Sequence, residues 1–139
     1  MEIDLALAAA RANHQSVLTT IRRDGRPQLS NVVHGVGDDG IIRVSTTADR
    51  AKYHNLRRTP WAALKVDGEC FWSYAVLEAD VELSDVAGRA DDETVDELVS
   101  LYRSISGEHP DWDEYRTAMA TDRRVVVRLR PTRAYGALR

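Results

Sequence analysis

The chain has 139 residues, 43% of them hydrophobic and 29% charged, with a formal net charge of −3, a composition typical of one globular domain. This charge argues against general affinity for nucleic acid or for an anionic membrane, and no apolar run is long enough to cross a bilayer. The single cysteine, Cys70, excludes an intrachain disulfide and favours a cytoplasmic setting, and the four histidines lack metal-ligand spacing. We therefore expect no protein metal site.

The first half of the chain predicts one helix followed by three strands. Residues 3–13 place leucines and alanines at helical spacing. Residues 15–22 are rich in β-forming residues, and Asp24-Gly25 predicts a hairpin turn into a second strand that Pro27 opens. A tight turn over residues 37–40 then leads into the third strand, Ile-Ile-Arg-Val-Ser-Thr-Thr.

The second strand, Gln-Leu-Ser-Asn-Val-Val-His-Gly-Val, mixes polar and apolar residues on both of its faces. Ser30 and Asn31 lie on opposite faces because successive side chains of a strand alternate. A strand that only fills a core does not need this mixture. A binding site on one face would explain Ser30 and Asn31, and a position at the rim of a barrel would explain them equally well.

The stretch over residues 43–58 holds the strongest sign of chemistry. An apolar run ends in hydroxyl residues, and a short helix with two cations near its start follows. A helix N-terminus has unpaired backbone N–H groups and partial positive charge, so hydroxyls and cations beside it suit a phosphate. The side chains in question are those of Ser45, Thr46, Arg50 and Lys52. The alternative is an ordinary strand-to-helix connection in which Asp49 caps the helix and the basic residues are solvated.

Two further strands follow this short helix. The helix over residues 50–58 ends before Pro60, and a fourth strand covers residues 61–66. After a turn at Asp67-Gly68, a long strand runs over residues 71–83. Its predicted core face consists of Leu77, Ala79, Val81 and Leu83.

The remainder of the chain begins with an acidic, helical segment over residues 85–122. One helix begins at Asp91-Asp92 and ends at Gly107, with an apolar stripe at helical spacing. A second helix runs from residue 110 to Met119, and its stripe consists of Trp112, Tyr115 and Met119.

The last segment predicts a strand over residues 123–130, a break at Pro131 and a short strand over residues 133–136. We therefore predict a single domain, residues 1–139, that is mainly β, with six or seven antiparallel strands in a small barrel. An N-terminal helix, a short helix beside the candidate phosphate site and an inserted helical hairpin complete it.

Other catalytic motifs are absent: the chain has no G-x-S-x-G elbow, no G-x-G-x-x-G and no phosphate-binding P-loop. Three segments carry a family resemblance instead, S-V-L-T-T-I-R-R-D-G-R-P-Q-L-S-N-V, V-S-T-T-A-D-R-A-K-Y-H-N-L-R-R-T-P and W-S-Y-A. They resemble the flavin/deazaflavin oxidoreductases of the pyridoxamine 5′-phosphate oxidase-like superfamily, and look closest to the actinobacterial branch, type B, that uses the deazaflavin coenzyme F-420. The segment G-E-H-P-D-W-D-E-Y-R-T-A-M-A-T-D-R-R-V also matches that branch.

This resemblance implies a split β-barrel, a homodimer and one cofactor in each of two grooves at the dimer interface. Arg50 and Lys52 would hold the cofactor phosphate, with Ser45 and Thr46 beside it. The ring system would be lined by residues of the second strand, namely Gln28, Ser30, Asn31 and Val32. Two aromatics, Trp72 and Tyr74, would reach the same groove from the partner subunit. Packing in the barrel core or at the interface is the alternative role of the aromatics.

The resemblance also implies a function. Coenzyme F-420 has an anionic tail that needs further cations, which Arg57 could supply together with Arg22, Arg23, Arg26 and Arg58; plain surface charge is their alternative role. We expect a reductase that passes hydride from reduced F-420 to a small planar conjugated molecule, with no protein nucleophile and no metal. The proton donor stays open between Tyr74, His34 and solvent.

Two alternatives remain at this point. The cofactor could be FMN, in an oxidase or reductase of the same fold, or the protein could bind F-420 or a tetrapyrrole without catalysis. Synthesis of pyridoxal phosphate is not expected, because the C-terminus Arg-Pro-Thr-Arg-Ala-Tyr-Gly-Ala-Leu-Arg lacks the arginine-rich substrate motif of true pyridoxamine phosphate oxidases.

Overall fold

The computed structural model describes residues 1–139 and contains four helices and six strands. The helices are α1 (Ile3–Ala12), α2 (Ala51–Arg58), α3 (Glu93–Ser106) and α4 (Trp112–Thr121). The strands are β1 (Gln15–Ile21), β2 (Pro27–Val36), β3 (Ile42–Thr47), β4 (Trp61–Asp67), β5 (Tyr74–Leu83) and β6 (Arg124–Ala137). No helix has the length and apolar character that crossing a membrane requires.

The six strands close into an antiparallel barrel in the order β1-β2-β3-β6-β5-β4. Alternate side chains of the strands fill the interior, and α1 adds Ala6, Leu7 and Ala10 to the same core. Leu77 and Ala79 are completely buried, while Val81 and Leu83 pack partly buried against the core. The predicted barrel, its helical additions and the core face of the fifth strand are confirmed.

The barrel is split along β2. This strand pairs with β1 over residues 27–33, but it pairs with β3 only over residues 34–36. Over its first seven residues, β2 therefore diverges from β3 and leaves a gap in the barrel wall. Helix α2 closes one end of this gap, where Asn55 Nδ2 donates hydrogen bonds to Thr20 Oγ1 at 3.1 Å and to Gln28 Oε1 at 2.8 Å.

The predicted break at Pro131 is wrong, because β6 continues through it to Ala137. Pairing of β6 with β3 ends at Leu129, so the missing N–H of Pro131 costs that ladder nothing. Against β5 the register shifts, with Ala79 opposite Pro131 and Glu78 opposite Arg133. The intervening residue is accommodated as a β-bulge, which bends the strand and does not end it.

The predicted start of the fifth strand is also wrong. Residues 68–73 form a turn, and β5 begins only at Tyr74. Gly68 N–H donates to the carbonyl of Ser73 at 2.6 Å, which closes the turn. Phe71 is 85% exposed and Trp72 66% exposed, with their rings edge to face. High β propensity therefore extended the prediction into a turn that carries two solvent-facing aromatics.

Helices α3 and α4 form a hairpin on the outer face of β3 and β6. The side chains of Asp92 and Asp111 cap the two helices, and Gly107 ends α3, as the sequence predicts. A second, small apolar cluster packs α3 against α4. It consists of Ala87, Val95, Val99, Trp112, Tyr115 and Met119.

The hairpin also lies tightly against the barrel at β2. A Cβ at Gly35 would be 2.7 Å from Ser104 Oγ and 2.8 Å from a methyl carbon of Leu101. A larger residue at this position would require the side chains of Ser104 and Leu101 to move.

Candidate anion-binding cleft

A cleft of about 450 Å³ lies where β2 diverges from β3, between the barrel wall and the hairpin. It is bounded by β2, the end of β3, the start of α2, helix α3, Tyr115 of α4 and the start of β6. Six of the site residues predicted from sequence line it, namely Asn31, Val32, Ser45, Thr46, Arg50 and Lys52. The fold therefore brings together residues that lie as much as 21 positions apart in the chain.

The two hydroxyl residues of β3 do not share a face. Ser45 is half-buried on the outer face, which the cleft occupies, whereas Thr46 is only 4% exposed and belongs to the barrel interior. Alternation along the strand makes Thr47 the second outward hydroxyl, and Thr47 lines the cleft as well.

Asp49 is not the cap of α2, which corrects the alternative reading of this segment. The residue at the cap position is Arg50, and no side chain caps the helix. Asp49 instead accepts a hydrogen bond from the hydroxyl of Thr47, which lowers the pKa of its carboxyl group. The first N–H groups of α2 are therefore free of side-chain partners at the edge of the cleft.

Three cations line the cleft, Arg50, Lys52 and Arg124, and no Asp or Glu lines it. Neither Arg50 nor Lys52 forms a salt bridge. Burial lowers the pKa of Lys52, and the nearby charge of Arg50 lowers it further. Positive charge is thus concentrated here, and the only nearby carboxylate is that of Asp122, 4.0 Å from Arg124 Nε. Such an excess of positive charge is the electrostatic condition for binding an anion.

Arg124 was not predicted from the sequence. Strand pairing places it opposite Thr47 at the start of β6, and its Nη1 lies 3.5 Å from Ser45 Oγ. Its Nε is buried and has no hydrogen-bond partner. No local pattern distinguishes Arg124 from the other arginines of Arg-Arg-Val-Val-Val-Arg-Leu-Arg, because only the register of β3 against β6 brings it to the cleft.

The hairpin supplies an apolar and aromatic wall of the cleft, to which the sequence analysis gave no role in binding. Tyr102 and Tyr115 line the cleft with their ring centroids 5.1 Å apart, and Leu101 and Ile105 continue this surface. The hydroxyl of Tyr115 donates to the carbonyl of Leu98 at 3.0 Å, and burial raises its pKa. The cleft therefore combines a cationic floor with a flat aromatic side.

Five predicted site residues lie outside this cleft in the single chain. Gln28 is hydrogen-bonded to Asn55, and Arg57 lies over the ring of Tyr53 at 5.8 Å. Trp72 stands on the exposed 68–73 turn, and Tyr74 has Lys65 Nζ 6.0 Å from its ring centroid. The fifth, Ser30, is half-buried on β2. The roles of all five residues toward a ligand stay predictions. For Trp72 and Tyr74 the predicted place of action is the groove of a partner subunit, which a single chain does not contain.

A second cleft of about 430 Å³ lies on the other side of the same stretch of β2. It shares Asn31, Val32 and Val33 with the first cleft and extends to Lys65 on β4. The outer face of β2 is open and carries two exposed apolar side chains, Leu29 at 62% and Val33 at 51% exposure, on either side of Asn31. The two clefts therefore follow one strand, in keeping with an elongated ligand.

The donor set fits an anionic organic group and offers nothing for a metal ion. No cluster of three or more His, Cys, Asp or Glu side chains could hold a metal. A phosphate would find guanidinium and ammonium donors, the hydroxyl of Ser45 and the free N–H groups of α2, all of which bind phosphate oxygens in proteins. The aromatic wall would suit a flat group attached to that phosphate.

The chain is similar to known proteins over most of its length. The family model described as "Pyridoxamine 5'-phosphate oxidase" matches residues 4–137. A solved structure described as an F420 reductase is 27% identical, with a TM-score of 0.64, over 87% of this chain and 88% of its own.

Two less identical structures share the fold. A conserved hypothetical protein from Mycobacterium tuberculosis is 23% identical with a TM-score of 0.72, over 96% of this chain and 82% of its own. The heme storage protein HutZ from Vibrio cholerae is 14% identical with a TM-score of 0.68, over 98% and 95% of the two chains.

Proposed function

The chain belongs to the pyridoxamine 5′-phosphate oxidase family, and from this premise we propose that it is an oxidoreductase that uses coenzyme F-420. Its substrate would be a small, planar, conjugated organic molecule. The observation that carries the proposal is the cleft in which Arg50 and Lys52 stand without carboxylate partners. The similarity to an F420 reductase over 87% of the chain supports the deazaflavin in particular.

Each lining group has a task in this proposal. Arg50 and Lys52 bind the cofactor phosphate by charged hydrogen bonds, and Ser45 together with the first N–H groups of α2 completes the cradle. Asn31 and Val32 line the cleft at the split of the barrel, where they would orient the ring system.

The reduced cofactor supplies hydride when it is bound. The residues of the chain position the ring and limit the access of water to it. The apolar wall formed by Leu101, Tyr102 and Ile105 serves the second purpose on one side of the cleft.

We also propose that the working form is a homodimer. The outer face of β2 exposes Leu29 and Val33, and the 68–73 turn exposes Phe71 and Trp72. An exposed apolar surface of this kind is typical of an interface. The partner's copy of Trp72 and Tyr74 would then cover the ring of the cofactor. Light scattering is the measurement, and a monomer that still binds the cofactor tightly would contradict this assembly.

Fluorescence titration with F-420 and with FMN tests the cofactor assignment. We expect F-420 to bind more tightly, followed by oxidation of the reduced coenzyme when enones or quinones are added. FMN that binds as tightly as F-420 or more tightly would refute the deazaflavin assignment and favour the flavin enzyme. Tight F-420 binding without turnover on any member of a panel of enones, quinones and biliverdin-type compounds would favour a non-catalytic binding protein.

A further inference from the structure

Arg124 lies at the edge of the barrel and lines the cleft. It begins β6 opposite Thr47, and the two residues lie on the outer face that the hairpin covers. One nitrogen of the guanidinium, Nη1, is directed to Ser45 Oγ at 3.5 Å, a long contact at the limit of a hydrogen bond. The guanidinium therefore lies against the hydroxyl that stands beside the cationic floor of the cleft.

A second nitrogen of the guanidinium, Nε, has no acceptor. This Nε is shielded from solvent and makes no hydrogen bond, and it is the only such side-chain atom in the chain. The closest carboxylate oxygen, Oδ2 of Asp122, is 4.0 Å away, too far for a hydrogen bond. A buried donor without an acceptor costs free energy, and for a charged group this cost is larger than for a neutral one.

No protein group accepts a hydrogen bond from this Nε. The other cations of the cleft, Arg50 and Lys52, have no acceptor to offer, and the nearby Tyr115 hydroxyl donates its proton to the carbonyl of Leu98. Another arginine of β6 has acceptors within the chain: Arg128 donates hydrogen bonds to Glu97 and Glu82 at 2.6–2.8 Å. The contrast within one strand indicates that the acceptor for Arg124 comes from outside the chain.

We infer that Arg124 is a third phosphate-binding cation of this cleft. It would act from the β6 side while Arg50 and Lys52 act from α2, so that the phosphate of the ligand is held from two opposite walls. Ser45, between these walls, would donate to the same group. The inference rests on the proposed function for the identity of the ligand, but the ligand class it requires is any compound with a terminal or internal phosphate.

This arrangement makes the phosphate site dependent on the hairpin. Tyr115 of α4 and Tyr102 of α3 line the cleft together with Arg124. They narrow the access of water to the cleft beside the guanidinium, and an anion bound there would be screened less than at an open surface. A phosphate site formed by α2 alone would be open to solvent and weaker.

The test uses matched pairs of ligands that differ only by their phosphate-bearing chain. FMN is compared with riboflavin, and F-420 with its phosphate-free deazaflavin riboside, by fluorescence titration of the full chain. The variants are Arg124→Met, which keeps most of the side-chain volume without the charge, and Arg124→Lys, which keeps the charge. Arg130→Met is the matched control, since Arg130 lies on the same strand, is exposed and does not line the cleft.

We expect Arg124→Met to weaken both FMN and F-420 by roughly 10- to 100-fold, the effect of one charged hydrogen bond. Binding of riboflavin and of the deazaflavin riboside should change less than about twofold, Arg124→Lys should recover part of the loss, and Arg130→Met should behave as wild type. Unchanged affinity for both phosphate ligands would overturn the inference. Loss confined to F-420 would also overturn it, because Arg124 would then contact the tail and not the phosphate.

A titration with inorganic phosphate and pyrophosphate separates this inference from the proposed function. If wild type binds neither F-420 nor FMN, the proposed function fails. The phosphate-binding role of Arg124 would in that case still be supported if wild type binds pyrophosphate and Arg124→Met binds it more weakly, as detected by NMR or calorimetry. If wild type binds no phosphate compound of any kind, the inference is refuted as well. Thermal unfolding of each variant identifies any loss of binding that comes from misfolding.

Discussion

The outer face of β3 and β6 carries two groups of basic side chains. One group is paired with carboxylates at close range, and the other is not. At one end, Arg43 and Arg128 share the carboxylate of Glu97 from the hairpin, with distances of 2.6–2.9 Å, and Asp39 and Glu82 add further pairs. At the other end, four residues along each strand, Arg124 joins two cations that have no carboxylate within hydrogen-bond distance.

The difference separates a structural cluster from a binding cluster. The hydrogen bond from Arg128 lowers the pKa of Glu97, and Glu97 in turn raises the pKa of Arg128, which is the signature of mutual stabilisation. Lys52 shows the reverse, because burial and a like charge lower its pKa. A cation whose charge is disfavoured in the free protein gains the most from an anionic ligand.

The largest expected effect is on the binding cluster, which contains Arg50 and Lys52. Replacing both Arg50 and Lys52 by alanine should weaken cofactor binding by about 2–5 kcal/mol, since each loses a charged hydrogen bond and the two losses are not fully additive. Fluorescence titration measures the affinity. The free energy of unfolding should stay the same or rise, because repulsion is removed, and wild-type affinity in the double variant would eliminate the phosphate role.

The next effect concerns the structural cluster, in which Arg43 and Arg128 share the carboxylate of Glu97. Glu97→Gln should lower the free energy of unfolding by about 2–3 kcal/mol, because it leaves two half-buried guanidinium groups without their shared carboxylate. Urea unfolding gives this value. Glu78→Gln is the control: its partner Arg133 is 75% exposed, so the change should stay below about 0.5 kcal/mol. Equal losses in the two variants would show that burial of the pair has no influence.

A smaller effect on the same cluster is expected in acid, where the free energy of unfolding should fall. The pKa of Glu97 is lower in the folded protein than its ordinary value of 4.5, so the folded state holds fewer protons on this group than the unfolded state. Its contribution is complete above pH 4.5 and is lost as the pH falls through the folded pKa. Unfolding experiments between pH 7 and pH 3 should show a loss in wild type that is reduced in Glu97→Gln. Parallel pH profiles would contradict this assignment.

Salt should produce the smallest difference. Raising the ionic strength from about 0.05 M to 0.5 M should weaken cofactor binding severalfold, because the anion is attracted by cations that no protein charge neutralises. The free energy of unfolding should change by less than about 0.5 kcal/mol over the same range, since the Glu97 pairs are short and partly buried. Riboflavin binding, which involves no phosphate, provides the reference for salt effects unrelated to charge.

The sequence predicted most of the fold because its signals are local. Turns at Asp24-Gly25 and over residues 37–40, the helix stop before Pro60 and the caps of the hairpin all depend on residues close together in the chain, and the structure has each of them. Arg50 and Lys52 could be singled out for the same reason, since two cations at a strand-to-helix junction form a local pattern, and the structure places both in the cleft.

The features that were missed depend on distant contacts. Pro131 was read as a strand break because its tolerance rests on where β3 stops pairing with β6. The sequence does not point to Arg124, because its position in the cleft is created by the register of β3 against β6. The hairpin tyrosines have ordinary core spacing, and only the placement of α3 against Gly35 shows that they also form a wall of the cleft.

The split between β2 and β3 has a consequence for the handling of the protein. The first seven residues of β2 have a strand neighbour on one side only, so the backbone N–H and C=O groups of the other edge are without sheet partners. Such an edge is a template for unwanted pairing with another chain, and here it lies beside the exposed Leu29 and Val33. A ligand or partner that fills the gap would therefore also protect against aggregation, so that shelf life and yield on expression depend on what occupies the opening of the barrel.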